Sequence, residues 1–465
     1  MKQTKTKDHA AMAEAFIKDE ERVDWHDGAL WYIREKRDIA SKKIPEWEQL
    51  REAASMIKNN VISNLHEYLL QFEANLKKNG ITVHWAADAE EHNAIVYAIL
   101  KAKEITQMVK SKSMLTEECQ LNEYLEERGI SVINSDLGEY IQQIDNEPPS
   151  HIVLPCIHKR KEEIGELFHK HLGTEKGLSD PTQLTRVARK HLRNEFLSRR
   201  VALTGVNFAV AETGEYVVCT NEGNADMGAH LSEVQIASMG IEKLIPQKNH
   251  LSVFLRLLAR SATGQPITIY SSHYKKPREG QEMHLILVDA GRTRQLGRAD
   301  FRDSLKCIKC GSCMNTCPVY RKSGGLSYQN TISVPIGAIL APNLDMKMHA
   351  DLPFASTLCG SCSNVCPVKI NIHEQLYKWR QVIVKEGYAA NTKALGMKTM
   401  AWTLSSPNSF NTAGRAGRWV LQNIPFVVNN KLNPWYKQRD MPEGSGQSFA
   451  EWYQKNGENN KEDLK

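Results

Sequence analysis

The tightest constraint on this chain is a repeated cysteine run. "CIKCGSCMNTCP" occupies residues 307–318 and "STLCGSCSNVCP" residues 356–367, so each cysteine of the second lies 49 residues beyond its counterpart in the first. The first run puts Cys307, Cys310, Cys313 and Cys317 in the order C-x2-C-x2-C-x3-C-P. Two-residue gaps let three thiolates wrap one iron–sulfur cubane from a tight turn. The longer gap and Pro318 send the fourth away at the head of a helix, where in two-cluster ferredoxins it ligates the other cluster. Aligned on Cys-Pro, the second run places Cys359, Cys362 and Cys366 at positions two to four, and Ser356 at position one.

Interleaving therefore assigns Cys307, Cys310, Cys313 and Cys366 to cluster one, a full set. Cys317, Cys359 and Cys362 go to cluster two, which is one ligand short. The vacancy is open to the Ser356 oxygen, water, a partner's side chain or nothing; with nothing, a 4Fe–4S cluster sheds an iron on oxidation and becomes 3Fe–4S. Zinc is the usual competitor for Cys-x2-Cys pairs, but four cysteines in one run, with both runs closing on Cys-Pro, favour clusters. The C-x3-C-x2-C order of radical S-adenosylmethionine sites is absent. Cys119, Cys156 and Cys219 stand singly, where core packing is the ordinary role. Cys156, in "VLPCIHK", is the one to watch as a missing ligand.

A chain of 465 residues has room for two or three domains, and 41% hydrophobic with 25% charged residues is ordinary for a globular protein. No window approaches eighteen uninterrupted apolar residues, and the start has lysines without an apolar stretch, so neither a transmembrane helix nor secretion is expected. Clustered cysteines suit a reducing cytoplasm. Residues 301–465 hold 20 Lys+Arg against 11 Asp+Glu, an excess of +9 that leaves −3 for the first 300 residues of a chain with net charge +6. Part of that excess compensates anionic clusters. A basic surface for a partner, or for peripheral contact with the inner face of the membrane, is compatible with the rest. Dispersed charges without an aromatic-basic motif argue against nucleic acid.

The expected fold class is α/β with a separate, mainly helical domain. Residues 1–78 form a helical N-terminal section, with Leu50, Ala53, Ile57, Val61 and Leu65 at helical spacing and Asn79-Gly80 as the stop. Residues 79–298 alternate strands and helices: "ITVHWA", "ITQMVKS", "ISVIN" and "SHIVLP" read as strands, "AEEHNAIVYAILKAK", "TEECQLNEYLEERG" and "KRKEEIGELFHKHLG" as helices. That pattern implies βαβ units and a parallel sheet. "NFAVAETGEYVVCT" reads as two strands about a Glu-Thr-Gly turn, which makes the sheet mixed, and "PITIYSS" and "MHLILVDAG" add two more. Residues 299–395 form a helical two-cluster ferredoxin-like domain. Residues 396–465 are a Trp-containing extension with a disordered end; Trp402, Trp419, Trp435 and Trp452 recur every 16 or 17 residues.

These residues together resemble a family. "CIKCGSCMNTCPVY" followed by "LCGSCSNVCPVKI", behind an α/β region with "SHIVLPCIHKRKEEIGELF" and "TGVNFAVAETGEYVVCTNEGN", is similar to the lactate utilization protein B family over essentially the whole chain. The cysteine runs alone are shared with glycolate oxidase and fumarate reductase iron–sulfur subunits. The resemblance implies an iron–sulfur, non-catalytic electron-transfer subunit with two 4Fe–4S clusters, acting with two companion subunits in oxidising L-lactate to pyruvate. The electron acceptor is left unknown. It further implies an α/β region similar to CoA-transferase and sugar-phosphate-isomerase folds, and a Ser at the head of the second run as a family trait.

Two other readings stay on the table. An open iron held by Cys317, Cys359 and Cys362 is suited to Lewis-acid chemistry in a hydroxy-acid dehydratase. Alternatively, the α/β region is a ligand-binding module gated by the clusters, with Glu212, Thr213, Glu222 and Asn224 near strand ends. Against the second, Thr213-Gly214 and Glu222-Gly223-Asn224 are ordinary turn chemistry. No phosphate loop occurs, and His169 and His171 fall on different helix faces.

Overall fold

The computed structural model describes residues 8–457 except 389–390, 434 and 437–440, and divides at Glu386 into two compact units. Among its described residues the first contains ten strands in two sheets. Six strands, β1 (Thr82–Ala86), β2 (Gln107–Lys110), β3 (Ser131–Asn134), β4 (Val201–Gly205), β7 (Val234–Gly240) and β10 (Glu282–Val288), form a wholly parallel sheet in the order β1-β10-β7-β4-β2-β3. The other four, β5 (Phe208–Val210), β6 (Glu215–Thr220), β8 (Leu244–Ile245) and β9 (Tyr270–Tyr274), form a mixed sheet in the order β8-β5-β6-β9. The antiparallel β5–β6 pair turns at Ala211–Gly214, as the Glu-Thr-Gly signal requires.

Strand β7 is central and fully buried along its seven residues, paired in register with β10 from Val234 opposite Glu282 to Gly240 opposite Val288. A parallel sheet covered on both faces shows no polar alternation, and "VQIASMG" accordingly has none. Asp88 caps the helix Ala89–Ala102 by accepting from the Glu91 N–H, and Asp180 caps Pro181–Ser198, whose proline sits in the first turn.

The hairpin expected to make the sheet mixed lies in a sheet of its own, so the main sheet stays parallel, and three further elements depart from the sequence pattern. "SHIVLP" is an irregular loop. The His151 ring supplies its order: Nδ1 accepts the N–H groups of Val153 and Leu154, both at 3.0 Å, substituting for a sheet ladder. "TEECQLNEYLEERG" falls in two short helices, Met114–Glu118 and Leu121–Glu126, broken where Gln120 turns left-handed at φ +52°. The strand expected at "PITIYSS" starts only at Tyr270.

The N-terminal helices, His9–Ile17, Glu20–Lys42, Trp47–Ser63 and Leu65–Lys78, bury their apolar faces against later elements. Leu30, Leu50 and Ala54 share one core with Phe254 and Leu257 of the helix Leu251–Thr263, with Trp379, and with the cysteine runs. Val61, Leu65, Phe72 and Leu76 join Tyr216, Leu244 and Leu285 in a second core.

The second unit contains the helices Asn391–Leu404, Pro407–Asn423 and Phe449–Asn456. Arg418 pairs with Glu451 at 3.0 Å, and Trp402, Trp419 and Trp452 are exposed. The chain end read as disordered lies, from residue 458, outside the described residues. Among the described residues no helix is long and apolar enough to cross a membrane.

Candidate iron–sulfur centre

The two cysteine runs have the same backbone. Lys309 and Leu358, 49 residues apart, are both left-handed, at φ +58° and +56°, and are followed by Gly311 at +76° and Gly360 at +78°. Each glycine opens a short helix, Ser312–Asn315 and Ser361–Val365. The bend turns a backbone N–H onto the first residue of each run. Lys309 N–H donates to Cys307 Sγ at 3.3 Å, and Leu358 N–H donates to Ser356 Oγ at 3.1 Å. The serine hydroxyl thus occupies the structural place of a thiolate. Arg380 holds it there from behind, donating to Ser356 O at 2.6 Å and Pro353 O at 2.9 Å.

Side-chain electrostatics sort the cysteines. Burial first, then Cys366, and Cys307 after it, raise the Cys310 thiol. Burial pushes Cys366 up to about 11, with Cys307 adding to it. Cys317 is pushed up to about 11 by burial, with Cys359 contributing, and Cys362 up to about 12 by burial and then Cys317 and Cys359. Cys313, raised by burial, feels Cys307, Cys310 and Cys366, but also Cys362, so the two sets adjoin. Cys317 thus neighbours Cys359 and Cys362 of the second run, and Cys366 neighbours Cys307 and Cys310 of the first.

Exposure is unequal. Cys310, Cys313, Cys317, Cys362 and Cys366 are buried, Cys307 is half-buried, and Cys359 is exposed. The donor set fits iron–sulfur clusters: soft thiolates, all but Cys359 in or against one apolar core, with backbone N–H groups aimed at sulfur, as Ile370 N–H also is at Cys366 Sγ, 3.4 Å. Among the described residues no three His, Cys, Asp or Glu side chains converge to hold a single metal ion.

Arginines of the N-terminal helices grip the ends of both runs, a feature the sequence reading missed because nothing local marks them. Arg51 donates to Cys366 O through Nε (3.0 Å) and Nη2 (2.8 Å), and to Asn364 O at 2.7 Å. Arg37 donates to Val365 O at 3.2 Å, and Arg34 reaches the hydroxyls of Thr316 and Ser361, which also bond each other across the two runs.

The "SHIVLP" loop lies on the first run. A Cβ at Gly311 would stand 3.1 Å from Val153 and 3.2 Å from His151. His151 Nε2 meets Asn315 Oδ1 at 2.9 Å, and Asn315 Nδ2 donates to Ala262 O at 3.0 Å. Burial depresses His151 to about 3, partly opposed by Asn315; the ring is neutral, and its Nδ1 accepts while Nε2 donates. Cys156 packs instead with Phe168 and Leu184, in a core that contains none of the run cysteines. Cys119 is buried in a third core.

Of the α/β candidates, Glu222 and Asn224 line a cavity of about 270 Å³ that Cys310 and Cys219 also line. Glu212 accepts the Lys248 N–H, and Thr213 accepts that of Glu215, so both serve the turn.

Comparison with known proteins decides the family. The chain is 42% identical over 428 residues to lactate utilization protein B of Bacillus cytotoxicus, covering 89% of this chain and 90% of that one. The chain belongs to the lactate utilization protein B family. The protein of that name from Shouchella clausii is 40% identical over 436 residues, covering 90% and 91%. Residues 69–294 match the LUD domain and residues 303–370 the 4Fe-4S dicluster domain. A solved DUF162 family protein from Deinococcus radiodurans aligns over 48% of this chain and 98% of its own at 14% identity, with a TM-score of 0.26, too low to argue from.

Proposed function

We propose that this chain serves lactate utilization by passing electrons through two 4Fe–4S clusters during oxidation of L-lactate to pyruvate, in concert with two companion subunits. Cys307, Cys310, Cys313 and Cys366 hold cluster one; Cys317, Cys359 and Cys362 hold cluster two, with Ser356 Oγ its fourth protein group. The observation that supports this reading is that Cys317 neighbours Cys359 and Cys362 while Cys366 neighbours Cys307 and Cys310, with all of them but Cys359 in or packed against one apolar core. Oxidation of lactate releases two electrons, and bound clusters supply one-electron steps. The chain's own residues set where those electrons pass: burial shields cluster one, and exposed Cys359 brings cluster two to the surface. The lactate chemistry itself falls to a companion subunit, and exchange with the acceptor occurs on the Cys359 side.

Cys317→Ala tests the assignment. After anaerobic reconstitution the variant loses the EPR signal of cluster two and keeps that of cluster one. Loss of cluster one alone would overturn the crossing.

A further inference from the structure

The second compact unit, Gly387–Lys465, has helices but no core. Its helices Asn391–Leu404, Pro407–Asn423 and Phe449–Asn456 are 14, 17 and 8 residues long, and none of their described side chains is buried. Helices of that length are marginal in water on their own and depend on burying an apolar face. Here the apolar groups stand in solvent: Trp402 is 70% exposed, Phe426 71% and Leu432 93%. In the first helix Leu395 and Trp402, seven residues apart, share one face, and Met397, Met400 and Leu404 share the opposite one; all five are exposed. In the second, Phe410, Ala413, Gly417 and Val420 form an apolar stripe that nothing buries, with Arg415 and Arg418 off it. Uncovered apolar surface on this scale marks an interaction site.

Charge says what covers it. The unit carries ten Lys+Arg and six Asp+Glu, and they are segregated: seven of the ten cations lie in residues 387–439, all six carboxylates in 440–465. The apolar stretch is thus basic without one acidic residue. Among the described residues the unit's one ion pair is Arg418 with Glu451, and Lys398, Arg415 and Lys431 are exposed. Cations interspersed with Trp, Phe and Leu match the boundary of a bilayer, where aromatic rings sit among the headgroups and Lys and Arg reach lipid phosphates. A flat protein partner would cover only one of the two apolar faces of the first helix. A helix sunk about 5–10 Å into the headgroup and acyl boundary meets lipid on both.

We propose that residues 387–439 dock this protein on an anionic phospholipid bilayer. Leu395, Trp402 and Phe410 enter the headgroup layer, and Lys398, Arg415 and Lys431 face lipid phosphates. Among the described residues no helix is long and apolar enough to cross a membrane, so the contact lies in the plane of the surface. This docking does not depend on how the clusters are ligated.

The test sediments the anaerobically purified full-length holoprotein with vesicles of one part phosphatidylglycerol to three parts phosphatidylcholine, and with vesicles of phosphatidylcholine alone. Binding to the anionic vesicles should be at least tenfold tighter and should weaken as salt is raised. Lys398→Gln, Arg415→Gln and Lys431→Gln together should weaken it by tenfold or more, since each cation near such a surface contributes roughly fivefold. Lys398→Arg with Lys431→Arg should bind as wild type does. Trp402→Ser with Phe410→Ser should weaken binding by tenfold or more at unchanged charge. Every replaced side chain is exposed, so iron content and the number of reducible clusters should match wild type throughout. Wild-type affinity in the triple variant, equal binding to both vesicles, or no binding by the cluster-replete wild type would overturn the proposal. So would a Trp402→Ser, Phe410→Ser protein that binds vesicles normally but no longer retains a companion subunit or a second copy of the chain, which would assign the surface to protein.

Discussion

Arg51→Met should loosen the second cysteine run more than any other single change in the N-terminal helices. Arg51 is buried and donates three hydrogen bonds, two to Cys366 O and one to Asn364 O. Its ion pair with Glu48 at 2.7 Å adds little, because the glutamate is 62% exposed. Methionine replaces the apolar stem but leaves two carbonyls without their donor. Charged hydrogen bonds contribute roughly 1.5–3 kcal/mol each, and an orphaned buried acceptor costs about 1–3 kcal/mol. Both carbonyls retain some access to other donors or water, so about 3 kcal/mol of local stability is the expected loss, equivalent to roughly 100-fold in an opening equilibrium. The assay is the rate at which an iron chelator bleaches the anaerobic protein. That rate tracks local opening when reclosing is fast. Cluster one, to which the proposal assigns Cys366, should be lost about 100-fold faster, with cluster two affected less. Arg51→Lys, which can reach one carbonyl but not both, should fall between. A rate within threefold of wild type would refute the idea that the N-terminal helices clamp the centre.

Two further outcomes follow from the same geometry. Ser356→Cys should place a fourth thiolate where the Leu358 N–H already points, suppress the 3Fe–4S signal that mild oxidation draws from cluster two, and lower that cluster's potential through added negative charge; an unchanged 3Fe–4S yield would remove Ser356 from the coordination sphere. Burial acts to raise the Glu242 carboxyl, but Arg292, with Lys243 and Lys309, overrides it and holds the group at about 2. A depressed carboxyl stabilises the fold above its ordinary pKa of about 4.5 and loses that contribution as pH falls toward 2. Glu242→Gln should therefore destabilise the fold near pH 6, and the gap from wild type in thermal melting should narrow as pH falls from 6 to 3.5. A gap that does not vary with pH would assign the cost to packing.

What the sequence revealed and what it hid divide along physical lines. Covalent spacing fixes the cysteine runs, so the alignment of Ser356 with Cys307 was legible before any fold was known, whereas the left-handed residues that recur at Lys309 and Leu358 were not. Strands with β-branched alternation or flanking turns, such as β1, β3 and β10, were equally plain. Strand β7 escaped because a central parallel strand, buried on both faces, has no polar period, and "VQIASMG" is interrupted by small residues. The "SHIVLP" loop misled for the opposite reason: its apolar side chains pack on the first cysteine run instead of a sheet, and a histidine ring does the work of a ladder. The clamp and the cavity were illegible altogether. Arg51 lies 315 residues from the carbonyl it holds, and the residues of the cavity wall come together only because strand connections diverge at β2 and β4. The same divergence carries the functional argument. It sets the cavity against Cys310 at one end of the centre, while the second run brings Cys359 to solvent at the other. A centre with one face in the core and Cys359 at solvent has a direction, and that direction comes from joining a LUD domain to a dicluster domain through one core.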